Sequence, residues 1–265
     1  MADPLSADAF LAALRGEGVK VVEVDGWRSR NRDHKGKWGP VNGVMIHHTV
    51  TRGTAATVKL CVEGHGDLPG PLCHAVIAKD GTVHVIGYGR ANHAGLGDPA
   101  VLDAVVAESG LPANKENVTD GNRHFYGFEC ENMGDGKDPW PAAQVDAIVR
   151  VAAGLCRAHG WGTTGTTSVI GHAEWQVGKI DPKGPGITMD AVRKEVAARL
   201  KAPAAKEPPK PPAPAGPPTY TVREGETLGW IAEAYGTTVA ELQKLNPDIK
   251  DPDKLAVDQK VKLPG

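Results

Sequence analysis

An α/β domain followed by a small βααβ unit is the fold this sequence predicts, and three observations predict it. Short runs rich in Val, Ile and Phe, such as Gly43–Thr49 and Phe125–Asn132, alternate with stretches of helical periodicity such as Pro141–His159. From Lys201 to Pro218 the chain is mainly Ala, Pro and Lys, a composition that favours extended polyproline II and spans roughly 50 Å. Beyond this linker a strand, two helices and a second strand follow in quick succession.

Taken in order, Leu5–Arg15 reads as an amphipathic helix with Ser6 as N-cap and Gly16 as stop signal. Lys20–Val24 has strand character. Asp25–Pro40 is a loop carrying Trp27, Arg28, Arg30, Arg32 and Trp38, either surface decoration or the lip of a ligand groove. Gly43–Thr49 is a strand that ends in His47 and His48. Successive strand side chains point to opposite faces, so only one of these histidines faces a given site. Thr54–Glu63 reads as a helix, and Cys73–Ala78 with Thr82–Ile86 as a hairpin turning at Asp80-Gly81. After the loop Ala91–Gly95, an irregular insertion with a helical patch covers Pro99–Asn122. In the strand Phe125–Asn132, alternation puts Glu129 and Glu131 on one face and Phe128 and Cys130 on the other. Pro141–His159 carries Val145, Ile148, Val149, Ala152 and Leu155 at helical spacing and is a core helix. Asp190–Leu200 closes the first domain. In the last unit, strands Thr219–Val222 and Lys260–Leu263 flank helices Thr227–Tyr235 and Thr238–Leu245.

At 265 residues, 40% apolar and 23% charged, the chain is long enough for a sizeable core and suits a soluble globular protein; no apolar run approaches a bilayer span, so no membrane insertion is expected. Thirty Lys plus Arg against 32 Asp plus Glu leave a net charge of −2, which argues against a nucleic-acid partner held by a broad basic surface. The N-terminus has acidic residues and no basic segment leading into an apolar core, so no signal peptide is expected. Cys61, Cys73, Cys130 and Cys156 form no C-x-x-C pair, and reduced thiols are expected.

The chemistry concentrates in Gly171–Gly186, where His172, Lys179 and Asp181 share one Gly/Pro-punctuated loop. A neutral imidazole and a carboxylate both ligate zinc, and a lysine nearby can polarise what the metal binds. The same composition also suits a solvated turn, so the loop alone decides nothing.

In order and spacing, His47-His48-Thr49, Asp80-Gly81, His93-Ala94-Gly95, Gly127-Phe128-Glu129, Gly171-His172 and Lys179-Ile180-Asp181-Pro182 resemble the zinc-dependent N-acetylmuramoyl-L-alanine amidases. That family is related to peptidoglycan recognition proteins and includes many phage endolysins. The resemblance covers about Val21–Leu200 and implies a central mixed β-sheet flanked by helices. It implies zinc held by His47, His172 and Asp181, Glu129 as general base and acid, Lys179 as oxyanion stabiliser, and His93 as a groove-wall contact to substrate. His48 and Glu131 are then secondary. Tyr220–Leu228, Ile231-Ala232, Tyr235-Gly236 and Leu245-Asn246-Pro247 are similar to a LysM module, a binder of N-acetylglucosamine-containing glycans. That likeness implies glycan contacts at Gly225, Thr227, Leu228, Asn246 and Pro247.

The domains expected are therefore 1–200 catalytic, 201–218 linker and 219–265 LysM. The function expected is hydrolysis of the bond between N-acetylmuramic acid and L-alanine of the stem peptide, by a monomer. With no export signal, a phage endolysin held in the host cytoplasm until lysis is expected. The rival is a peptidoglycan-binding protein that does not cleave, as relatives lacking a zinc ligand do. Two departures stand out: Asp258 lies where LysM modules commonly have glycine, and Cys73 where some amidases carry a catalytic tyrosine.

Overall fold

The computed structural model describes residues 2–202, 219–222, 227–235 and 237–264, which fall into two compact units divided between Glu207 and Pro208. Most of the Pro-rich stretch, and Gly225 with it, lies outside the described residues.

The first unit is built on six strands: β1 (Val21–Glu23), β2 (Gly43–His48), β3 (Ala75–Ile77), β4 (Val83–Val85), β5 (Phe125–Cys130) and β6 (Val169–Gly171). Their order across the sheet is β1-β4-β3-β5-β2-β6. Only the β3–β4 hairpin is antiparallel, so the sheet is mixed, as expected. The three neighbours β5, β2 and β6 run parallel and are almost wholly buried, which accounts for their apolar runs.

Helices α1 (Ala7–Gly16), α2 (Thr54–Glu63), α3 (Pro99–Val106), α4 (Ala142–His159), α5 (His172–Trp175) and α6 (Met189–Lys201) flank the sheet. The Ser6 hydroxyl caps α1 by accepting from the Ala9 N–H. Asp98 caps α3, with Pro99 in its first turn. Val44 and Ile46 pack with Phe10, Leu14, Ile148, Leu155 and Val196 from α1, α4 and α6. Met45 points the other way, into a second cluster with Phe125, Ile170, Trp175 and Val101. This alternation assigns His47 to the Met45 side and His48 to the opposite face of the strand.

Glu17, just after α1, is 1% exposed and pairs with Arg157 of α4 and Arg199 of α6. One carboxylate thus ties three helix ends together. Trp27 and Trp38 are not groove-lip residues. Trp27 is buried with its indole N–H on Glu23, and Trp38 stacks on His74 at 5.1 Å. All four cysteines are free and buried.

The second unit contains β7 (Thr219–Thr221), α7 (Leu228–Ala234), α8 (Val239–Leu245) and β8 (Lys260–Lys262), with β7 and β8 antiparallel. Thr238 and Glu241 form a capping box at α8. Leu228, Ile231, Leu242 and Val261 form a core of its own. Asp258 has φ +66°, a left-handed conformation that glycine adopts freely and aspartate tolerates. Two expected glycan contacts are interior residues instead. Leu228 is fully buried in the core. The Asn246 amide donates to the Leu242 and Lys262 carbonyls, and its oxygen accepts the Lys262 N–H, joining α8 to β8. Pro247 is exposed.

Candidate active site

The carboxyl ends of β6, β2 and β5 deliver the functional side chains. In β2–β5 pairing His47 lies opposite Glu129, and in β2–β6 pairing Ile46 lies opposite Gly171, so His172 follows at the level of His47. His172 opens α5, a single helical turn in what the sequence presents as loop. The chain then returns, and the Ala173 N–H donates to the Asp181 carbonyl, fixing Asp181 beside both histidines.

Three atoms meet there. His47 Nδ1 lies 3.0 Å from His172 Nδ1 and 3.1 Å from Asp181 Oδ2, and His172 Nδ1 lies 3.2 Å from Asp181 Oδ2. Two imidazole nitrogens and a carboxylate oxygen at 2.0–2.2 Å from a tetrahedral zinc ion would be about 3.3 Å apart. The observed separations are close to that edge length, and the donor set is one zinc accepts. No other group of three or more His, Cys, Asp and Glu residues suited to a metal ion occurs among the described residues. Burial pushes the His47 pKa down to about 4, so its ring is neutral near pH 7. Burial would raise the Asp181 pKa, but its contacts with His172 and His47 prevail and hold the carboxyl well below the usual range.

His172 and Asp181 border a cleft of about 500 Å³, which His48, Glu129, His93, Gln176 and Lys179 also line. Glu129 Oε2 is buried with no hydrogen-bond partner. Burial, and then the charge of Asp181, push the Glu129 pKa up to about 8 against the pull of Lys179. Lys179 is exposed at the cleft mouth.

The family profile described as N-acetylmuramoyl-L-alanine amidase matches residues 37–184, more than half the chain. The chain belongs to this family.

A LysM domain profile matches residues 220–264 of the same chain. Over 153 residues it is 31% identical to N-acetylmuramoyl-L-alanine amidase XlyA of Bacillus subtilis (strain 168), covering 57% of this chain and 43% of that one. Over 48 residues it is 48% identical to the endolysin of Bacillus phage PZA, covering 18% and 19%. The chain thus spans less than half the length of either relative. Among solved structures, the endolysin LysCS of Clostridium intestinale URNW aligns over 67% of this chain and 95% of its own, at 18% identity and TM-score 0.44.

Several neighbouring residues are engaged in other contacts. Glu131 accepts from the Gly53 N–H and the Thr54 hydroxyl at the start of α2, so it is a capping carboxylate. His48 sits against Gly134 and accepts the Lys183 N–H through Nδ1. Cys73 is fully buried with Cys61, Val76 and Ile86, and burial raises its thiol pKa well above normal. Among the described residues, no tyrosine lines the cleft in its place. His93 borders the cleft, yet both its nitrogens are engaged inside the protein, on His47 and on the Phe125 carbonyl. Gln176, whose Oε1 accepts from His172 Nε2, belongs to none of the motifs in the sequence. Its i+4 spacing from His172 on a one-turn helix is a signal legible only once that helix is known.

Proposed function

We propose that this chain is a peptidoglycan amidase of the endolysin type, cleaving the amide between the lactyl group of N-acetylmuramic acid and the L-alanine of the stem peptide. The observation that carries this reading is the cluster of His47, His172 and Asp181 at a cleft that Glu129, with its unpartnered Oε2, also lines. Zinc held by those three residues would supply Lewis acidity and lower the pKa of a water. Glu129 supplies the proton traffic: its carboxylate form can take a proton from the attacking water, and the acid so formed can return it to the departing amine. Lys179, at the cleft mouth, places a positive charge where negative charge grows on the scissile carbonyl oxygen. A catalytic domain over 1–200, a linker over 201–218 and a glycan-binding module over 219–265 fit the positions of the two family matches. The LysM module would hold the enzyme on the wall and raise its local concentration. An endolysin of this kind would wait in the host cytoplasm and reach the wall at lysis.

The test is incubation of the full chain with purified peptidoglycan and zinc. New L-alanine N-termini, lost on chelation and restored by zinc, are the expected result. New reducing ends would indicate a glycosidase. Wall binding with no new termini would indicate a receptor that does not cleave.

A further inference from the structure

We infer that His93 and Gln176 are positioning residues that fix the ring tautomers of the two histidine ligands, so that both present an unprotonated Nδ1 to the metal. The inference rests on the metal reading above and concerns residues that touch neither metal nor scissile bond.

The His93 ring is held from several sides. Asn122 Oδ1 accepts both the His93 and the Ala94 backbone N–H at 2.8 Å, which pins the loop. Gly127 of β5 leaves room for the ring, since a Cβ there would lie 2.4 Å from it. So placed, His93 Nε2 is 3.2 Å from the Phe125 carbonyl oxygen. A carbonyl only accepts, so the proton of a neutral His93 sits on Nε2 and leaves Nδ1 as an acceptor. That Nδ1 is 3.1 Å from His47 Nε2, which therefore donates. A neutral His47 with its proton on Nε2 has a bare Nδ1, the atom aimed at His172 and Asp181.

The same logic runs independently at His172. Its Nε2 lies 2.9 Å from Gln176 Oε1, an acceptor one helical turn on. His172 Nε2 then carries the proton, and its Nδ1 is bare. Two lone pairs and a carboxylate oxygen face one another within 3.2 Å with no proton between them. Such a cluster favours a cation. Without the outer partners either imidazole could adopt the other tautomer and donate Nδ1–H to Asp181. The site would then close on itself, and that hydrogen bond would have to break before metal entered.

The test is zinc affinity of the full chain by chelator competition, with ¹⁵N spectra of the metal-free imidazoles. Outer partners of ligating histidines are typically worth about 10–100-fold in metal affinity. His93→Phe and Gln176→Leu should each weaken zinc binding by about that factor. They should also shift the His47 or His172 ¹⁵N pattern, respectively, away from the Nε2–H tautomer. His93→Gln and Gln176→Glu, which retain an acceptor, should recover most of the affinity. Thermal melting of the metal-free variants separates misfolding from site effects. The Gln176 pair, at a half-buried cleft position, carries the test if His93→Phe does not fold. Wild-type affinity and tautomer pattern in the Phe and Leu variants would overturn the assignment while leaving the metal reading intact. Failure of the wild-type chain to bind zinc would overturn the metal reading, and this assignment with it.

Discussion

Glu129 is the register partner of His47 on the adjacent parallel strand. Paired residues of neighbouring strands present their side chains on the same face, so one register sets the distance between the proposed metal ligand and the proposed acid–base group. A one-residue slip would turn either side chain to the opposite face. Glu129→Gln keeps the shape and removes the titrating oxygen. It should leave zinc affinity within a few-fold and lower turnover by about 10²–10⁴, the usual worth of a positioned acid–base group. Zinc content and the release of L-alanine N-termini check the two halves; a fully active variant would remove Glu129 from the mechanism.

Much of this was legible in the sequence because period-2 alternation and turn chemistry are local. The strands ending in His47 and Glu129, the Asp80-Gly81 hairpin and α2 all fall where their residues place them. What stayed illegible depends on contacts between distant residues. Glu131 looks like a second active carboxylate by alternation, and only the approach of Gly53 and Thr54 makes it a cap. His93 borders the cleft as its motif implies, but the engagement of both its nitrogens with His47 and the Phe125 carbonyl depends on packing against Gly127. Asn246 reads as a ligand contact in a linear motif, whereas its amide is consumed by β8, 16 residues away.

Glu17 offers a stability test remote from the cleft. Its carboxylate is buried, while Arg157 and Arg199 remain 24% and 23% exposed. Glu17→Ala leaves both guanidinium groups without their partner at the junction of α1, α4 and α6. The expected loss is about 3 kcal/mol, at the lower end for a broken buried ion pair because the arginines keep some water. Urea denaturation of the first unit measures it, and a loss under about 0.5 kcal/mol would place the ion pairs among those that contribute little.

His74 should make the fold acid-sensitive. It is 1% exposed, and burial pushes its pKa down to about 4 against its backbone contacts with Gly89 and Gly127. In the unfolded chain the ring titrates near 6.5, so between those values the unfolded state binds more protons and stability rises with pH. The contribution is fully present above about pH 6.5 and is lost as pH falls through 4, amounting at most to about 3 kcal/mol. His74→Gln removes the titration while keeping one donor and one acceptor. Its stability should vary less between pH 4 and 6.5 than that of the wild type, and equal slopes would assign the sensitivity to other groups.

Removing residues 219–265 separates tethering from chemistry. The two units have separate cores, one around Phe10, Ile46 and Ile148 and the other around Leu228, Leu242 and Val261. Among the described residues, those that line the cleft all belong to the first unit. On a small soluble muropeptide the truncated chain should therefore turn over within about twofold of the full chain, since a tether adds nothing where there is no surface to hold. On whole walls, effective concentration governs the rate, and the loss of one binding module can cost about 10²-fold or more in avidity. Co-sedimentation with walls and turnover of the soluble fragment, measured side by side, give the two numbers. Equal losses in both would mean that the second unit supports the catalytic fold rather than its attachment.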